Sequence, residues 1–342
     1  MRILFNTLRT DNLVTLNVLY HLEQEVSKLA ECKWSGKGWK DHIQNEKINK
    51  TVERLYGNDP PDFIVDNNAD LSEFKRIAEE KTAETPQTVM TINDMHLEPR
   101  EWVKTANRGF DGALMRYLYC PYEKVKILSR FDYMKKMDDS YYLDNLTIPY
   151  IHFPWFTDER IYGPSDEKEY DVAFLGSYRK RIYPLRHEIY NSLPSLCKEM
   201  KCKYLLSDRP PGKTTERRIS DLSNEGYFVG ESYARALAKS KIFIFGNSIF
   251  DYPISKYFEV MGCRSLVMAD KPQTATELHF ESGYNYVEID RTNWKEKLRY
   301  YLDNDDERER IARNGYNTVM KYHNSRVRAK QLVEFLGKLL KS

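Results

Sequence analysis

Asp251, Ser255, Lys256 and Glu259 are the residues of this chain best placed by type and spacing to act together. They follow the short apolar run Lys241-Ile242-Phe243-Ile244-Phe245 and the polar Gly246-Asn247-Ser248. A run from Ile254 to Met261 can form a helix, and unpaired N–H groups at its amino end, helped by the Lys256 ammonium, would attract the phosphates of an anionic ligand. Glu259 reads either as a carboxylate of that same site or as a helix charge favoured by the dipole. A second cluster has the same logic. Asp171 to Leu175 reads as a strand entering a turn at Gly176-Ser177, followed by Arg179-Lys180-Arg181 and a helical stretch from Leu185 to Ser192. A glycine there lets the backbone approach a ligand closely, and the cations either neutralise a diphosphate or form a solvated basic face. A third cluster is Asn93-Asp94-Met95-His96. Asp94 and His96 offer a carboxylate and an imidazole for proton transfer or for holding a hydroxyl, the alternative being an Asx-type turn with an exposed His.

All three clusters stand where an α/β architecture would put a site. The Lys241 run suits a parallel strand buried on both faces, and ligands of open α/β sheets bind at the carboxyl ends of such strands. Gly262 ends the helix, Ser265 to Met268 makes the next strand, and Asp270-Lys271-Pro272 turns the chain away. In the amino-terminal half, strands are predicted at Ile3-Leu4-Phe5, Asp62 to Asp66, Thr88 to Ile92 and Gly112 to Met115, with helices at Leu13 to Leu29, Leu71 to Lys81 and Glu98 to Asn107. That alternation is the doubly wound pattern. Lys124 to Leu128 is an element of undefined type inside the Tyr-, Lys- and Asp-rich segment Cys120 to Asp144, which reads as an acceptor loop. The stretch Ile148 to Phe156 reads as a linker, with His152 a packed histidine and Trp155 and Phe156 packing residues.

Composition fits two α/β domains. The chain has 342 residues, 41% of them hydrophobic, enough for two cores. Lys and Arg number 53 against 51 for Asp and Glu, so a net charge of +2 gives no global reason to expect a nucleic-acid partner. No apolar run approaches membrane-spanning length, and Met1 to Asn6 is too short for a signal peptide, so a cytoplasmic location is expected, with peripheral membrane association left open. The five cysteines show no Cys-x-x-Cys pair and read as reduced thiols rather than zinc ligands. Pro210 to Thr215 imitates a P-loop, but Ser207 stands where the upstream glycine is required.

The order of these segments resembles the donor-binding half of GT-B glycosyltransferases, in particular the group-1 and spore-maturation-type branch. Lys256 stands at the family's Arg place, Glu259 matches its Glu, and Met261-Gly262-Cys263 replaces its small-residue turn. Asp251 takes the place of an earlier family Glu. Gly230 to Ser240 is similar to the helix before the Lys241 strand, and Asn293 to Leu302 with Glu307 to His323 resembles the closing helices. The likeness covers about residues 150 to 340 and is weak before that.

The resemblance implies an α/β fold of two Rossmann-like domains facing a cleft. It implies an acceptor-binding domain over 1–150, a linker over 151–169, a donor-binding domain over 170–325 and a closing helix over 326–342 that crosses back. It implies glycosyl transfer from a nucleotide diphospho-sugar to a hydroxyl of a glycan, lipid-linked or other acceptor, with no cofactor, no obligatory metal and retention of configuration. Gly176, Ser177, Arg179, Arg181, Asp251, Ser255, Lys256, Tyr257, Phe258 and Glu259 are then donor-binding, and Asp94, His96 and Glu259 catalytic. Arg181 is the foremost candidate for the diphosphate, with Arg179 beside it. Lys256 would compensate charge developing on the leaving diphosphate. A nucleotide-sugar epimerase, a noncatalytic sugar-nucleotide or glycan-binding protein, and an enzyme glycosylating modified DNA bases remain open alternatives.

Overall fold

The computed structural model describes residues 1–13, 16–67, 71–93, 96, 98–120, 138–211 and 217–341, and the chain divides into two units. The first holds Met1–Asp11, Leu19–Pro154 and Arg326–Ser342; the second holds Asn12–Val18 and Trp155–Ser325.

The sheet of the first unit contains β1 (Arg2–Asn6), β2 (Glu31–Ser35), β3 (Phe63–Asp66), β4 (Gln87–Ile92), β5 (Gly112–Met115) and β6 (Tyr150–His152). Its order is β2-β1-β3-β4-β5-β6, and every pairing is parallel. The central strands read as continuous apolar runs because helices cover both faces: β3 and β5 are buried at every residue. The covering helices are α1 (Asn17–Val26), α2 (Ile48–Tyr56), α3 (Leu71–Glu80), α4 (Pro99–Gly109) and α5 (Tyr141–Asn145). The sequence reading missed β2, whose Glu-Cys-Lys-Trp-Ser alternates charge and bulk on a half-covered edge, and α2. Part of the passage read as a linker is strand: Tyr150 pairs with Ala113, and His152 with Met115. His152 is packed there, and burial pushes its imidazole down to about 4. Lys124 to Leu128 and most of the Cys120 to Asp144 segment lie outside the described residues.

The order reverses between β1 and β3, and polar groups meet at their carboxyl ends. Asn6 Nδ2 donates to Asp66 Oδ2 at 2.6 Å, Thr91 Oγ1 to Asn67 Oδ1 at 2.6 Å, and Trp34 Nε1 to Glu23 Oε2 at 3.0 Å. Burial pushes the Glu23 carboxyl up to about 8, so it is held largely as a neutral acid.

The second unit repeats the architecture with β7 (Tyr170–Leu175), β8 (Tyr204–Ser207), β9 (Ser240–Ile244), β10 (Leu266–Ala269) and β11 (Val287–Glu288), in the order β11-β10-β9-β7-β8, all parallel. Its helices are α6 (Pro184–Met200), α7 (Ile219–Asn224), α8 (Gly230–Ala238), α9 (Ser255–Gly262), α10 (Trp294–Asp303) and α11 (Asp305–Tyr322). One core joins Phe174, Ile242, Leu266 and Trp294 with the inner face of α6, including Ile189 and Leu193. The reversal here falls between β7 and β9, so the loops after Leu175 and Ile244 leave the sheet on either side of a crevice.

The last helix, α12 (Ser325–Leu339), runs into the first unit. Arg328 Nε donates to the Pro154 carbonyl at 3.1 Å, and Gln331 Nε2 to the His152 carbonyl at 2.8 Å. Gly112 lets it dock: a Cβ at that position would lie 2.9 Å from Leu339 Cδ1 and 3.1 Å from Phe335 Cζ. Among the described residues no helix is long and apolar enough to cross a membrane. Among the same residues no disulfide joins any of the five cysteines.

Candidate active site

A cavity of about 290 Å³ opens over the β7/β9 crevice, and all of its lining comes from the second unit. The turn after β7 forms its floor. Gly176 has φ +134°, in the region that glycine alone enters freely, and its missing side chain matters: a Cβ would stand 3.3 Å from Lys256 Cε and 3.5 Å from Nζ. Its N–H is held by the Ser207 carbonyl at 3.0 Å, which ties the turn to the end of β8. Ser177 follows, almost fully buried, and also lines the cavity.

Arg186 bridges the crevice from α6. Its Nε donates to the Gly246 carbonyl after β9, and its Nη1 to the Ser177 carbonyl after β7 at 3.4 Å. The guanidinium also lies 4.1 Å from the centre of the Tyr183 ring, and burial pulls its pKa below the usual arginine value. Sequence reasoning looked for this cation at Arg179 and Arg181. Both are exposed and neither is among the lining residues. The available signal was Pro184: proline favours the first helical position, so the first turn of α6, and Arg186 with it, sits against the strand ends while the earlier basic run stays in the loop.

α9 supplies the opposite wall. No side chain caps its amino end; the Ile254 and Tyr257 N–H groups bond to the Tyr252 and Ile254 carbonyls, which leaves those of Ser255 and Lys256 for a ligand. Ser255, Lys256 and Glu259 line the cavity. Lys256 Nζ donates to the Tyr233 hydroxyl at 2.9 Å, and Tyr233 donates in turn to Glu259 Oε2 at 2.9 Å. Burial pushes the Lys256 ammonium down to about 8; Glu259 opposes that shift and Arg186 adds to it. The Tyr233 hydroxyl is driven well above its ordinary value by burial and by the Glu259 charge. It therefore acts as a neutral link between an ammonium and a carboxylate. Tyr233 comes from α8, and nothing in its local sequence marks it.

The remaining sequence candidates divide. Tyr257 and Phe258 point the other way from α9 and are fully buried, packing against Phe280 with centroids at 5.8 and 5.4 Å. Asp251 is outside the cavity lining, at φ +51° in the loop after β9, where its carbonyl accepts the Gln273 N–H at 2.8 Å. It stands near Asp270, whose carboxyl is pushed up to about 7 by burial first and by the Asp251 charge to a lesser degree. Asp94 lies outside the described residues, and His96 sits half-buried in a turn after β4 of the first unit. Among the described residues no group of three or more His, Cys, Asp or Glu could hold a metal ion.

Two cations, a glycine turn and a helix amino end without a side-chain cap converge at a strand reversal, an arrangement suited to an anion, beside a carboxylate able to accept from a hydroxyl. The fold around it is GT-B. The chain is similar to sucrose-phosphate synthase from Thermosynechococcus elongatus, with a TM-score of 0.65 and 12% identity over 100% of this chain and 99% of that one. It is similar to Anabaena HepE in complex with UDP and glucose, with a TM-score of 0.64 and 14% identity over 98% and 99% of the two chains. An alpha-glucosyltransferase in complex with UDP and DNA containing an HMU base gives a TM-score of 0.64 at 9% identity, over 98% and 99%. Residues 211–334 match the family described as glycosyl transferase-like. No curated protein matches it.

Proposed function

We propose that the chain transfers a sugar from a uridine diphospho-sugar to an acceptor hydroxyl, with the donor in the second-unit cavity. The observation that carries this reading is the convergence of Arg186 and Lys256 on the Gly176 turn. A diphosphate laid on that turn would accept from main-chain N–H groups and meet both cations, and the ribose or sugar hydroxyls would reach Glu259. The solved proteins with UDP bound share this fold, which supports uridine as the base.

In the transfer, the bond between the anomeric carbon and the diphosphate oxygen breaks, and the acceptor oxygen bonds to that carbon. The acceptor proton leaves to a base, and the electron pair departs with the diphosphate. Lys256 would meet the charge that grows on that leaving group, where positioned cations act most strongly. Lys256 and Arg186 can meet that charge without a metal, so transfer is proposed to be metal-independent. Retention of configuration follows the group-1 resemblance, and acceptor binding is assigned to the first unit.

The test incubates the protein with a panel of nucleotide diphospho-sugars, with EDTA or with added magnesium, and follows melting temperature and nucleotide release. Selective stabilisation by one uridine donor with slow UDP release in EDTA is expected. No shift and no release with any donor would overturn the reading. Proton NMR of the product's anomeric signal then decides between retention and inversion.

A further inference from the structure

A second and larger cavity, of about 610 Å³, lies on the second unit between the 276–285 loop and α11. It shares no lining residue with the donor cavity. α9 stands between them: Lys256 and Glu259 line one, while Tyr257 and Phe258 pack on Phe280, which lines the other. We propose that this second cavity binds a neutral oligosaccharide, as a glycan-anchoring site separate from the donor site.

The wall is fixed in place. Asn285 is 1% exposed and uses its whole carboxamide on the loop and α11: Nδ2 donates to the His279 carbonyl at 2.6 Å and to Thr318 Oγ1 at 3.1 Å, and Oδ1 accepts the Glu281 N–H at 2.8 Å. Asn314 Nδ2 donates to the Tyr284 carbonyl at 3.0 Å, and Arg310 Nη2 to the Gly283 carbonyl at 3.1 Å, so the loop is tied to α11 along its length. His279 is held at φ +58°, a conformation L-residues rarely adopt, with its ring stacked on Tyr322 at 4.1 Å. Backbone held off its usual conformations by surrounding bonds is a feature of ligand sites.

What this scaffold presents matches a sugar. A pyranose has an apolar C–H face and a rim of hydroxyls that each donate and accept. The Tyr284 ring, half exposed, and the His279/Tyr322 stack offer apolar faces with polar edges. Asn317, Thr276 and the Glu281 carboxylate make no side-chain hydrogen bond to other described residues, and they line the same space. An amide, a hydroxyl and a carboxylate supply both donors and acceptors. Charge argues against an anionic ligand: among the described residues Lys321 is the one Lys or Arg lining the cavity, it rests 4.7 Å from the Tyr322 ring centre, and the Glu281 carboxylate lines the same space. The volume falls in the range of ordinary small-ligand sites, roughly 300 to 1,000 Å³.

The test is calorimetric titration of the full chain with maltoheptaose, cellohexaose and chitohexaose, and separately with UDP. It is repeated on Tyr284→Ala and Asn317→Ala, both at exposed positions, with melting temperature as the folding control. The expected result is binding of at least one oligosaccharide, weakened roughly fivefold to tenfold by each substitution, with the UDP titration unchanged. The proposal is overturned if none of the three binds, if both variants bind as the parent does, or if dextran sulfate competes more strongly than neutral dextran. A missing UDP signal in the parent chain counts against the donor reading alone, because the oligosaccharide titration does not depend on it.

Discussion

At the scale of single residues, Lys256 ties structure to activity most directly. With its ammonium pushed down to about 8, the free protein loses that charge in the mildly alkaline range. Below that pH the cation attracts the diphosphate, and above it the attraction is gone. kcat/KM for the donor should therefore fall as pH rises through about 8, while kcat at saturating donor falls at higher pH, because the bound diphosphate favours the charged form. Lys256→Ala should lower kcat/KM by about 10² to 10³. Tyr233→Phe leaves the ring and removes the link between Lys256 and Glu259; donor KM should rise roughly tenfold with kcat little changed. A pH–rate profile of all three proteins checks these points together. Glu23 gives a separate prediction. Its carboxyl titrates near 8 folded against 4.5 unfolded, so the folded state holds the extra proton and stability should decline from pH 4.5 to about 8. Asp270, raised to about 7, adds to the same slope. Urea denaturation at pH 5 and pH 8 should show that Glu23→Gln flattens it; an unchanged slope would remove Glu23 as its source.

At the scale of elements, legibility in sequence followed burial. β3, β5 and β9 were readable because strands covered on both faces become unbroken apolar runs. β2 was missed, since an edge strand keeps Glu31 and Lys33 and offers only a five-residue alternation in place of an unbroken apolar run. The site behaved alike. Gly176 and Lys256 stood out because a turn glycine and a first-turn cation are local signals. Arg186 depended on where α6 begins, and Tyr233 meets Lys256 across 23 residues, through two helices crossing in space. The docking of α12 is also a matter of elements: Phe335 is 5% exposed and rests over Gly112. Phe335→Ala should cost about 3 to 5 kcal/mol of stability, measurable by denaturant titration, with UDP affinity unchanged.

At the scale of the whole molecule, the cavity proposed for the donor is lined from one unit only, so a nucleotide bound there should stabilise one unit only. Saturation at about 100 times Kd contributes about 2.7 kcal/mol. Hydrogen exchange with and without UDP should show added protection within 155–325 and none in the sheet of the first unit. Equal protection of both sheets would mean that the units unfold together.

α12 also bears on synthesis. The first unit takes its strands from before residues 155–325 and the helix α12 from after them. A ribosome therefore delivers Gly112 long before Phe335 and Leu339 exist to cover it. The first unit is thus begun before the second and completed after it, and a chain stalled after residue 325 would leave the apolar strand around Gly112 uncovered, a surface for chaperones to hold.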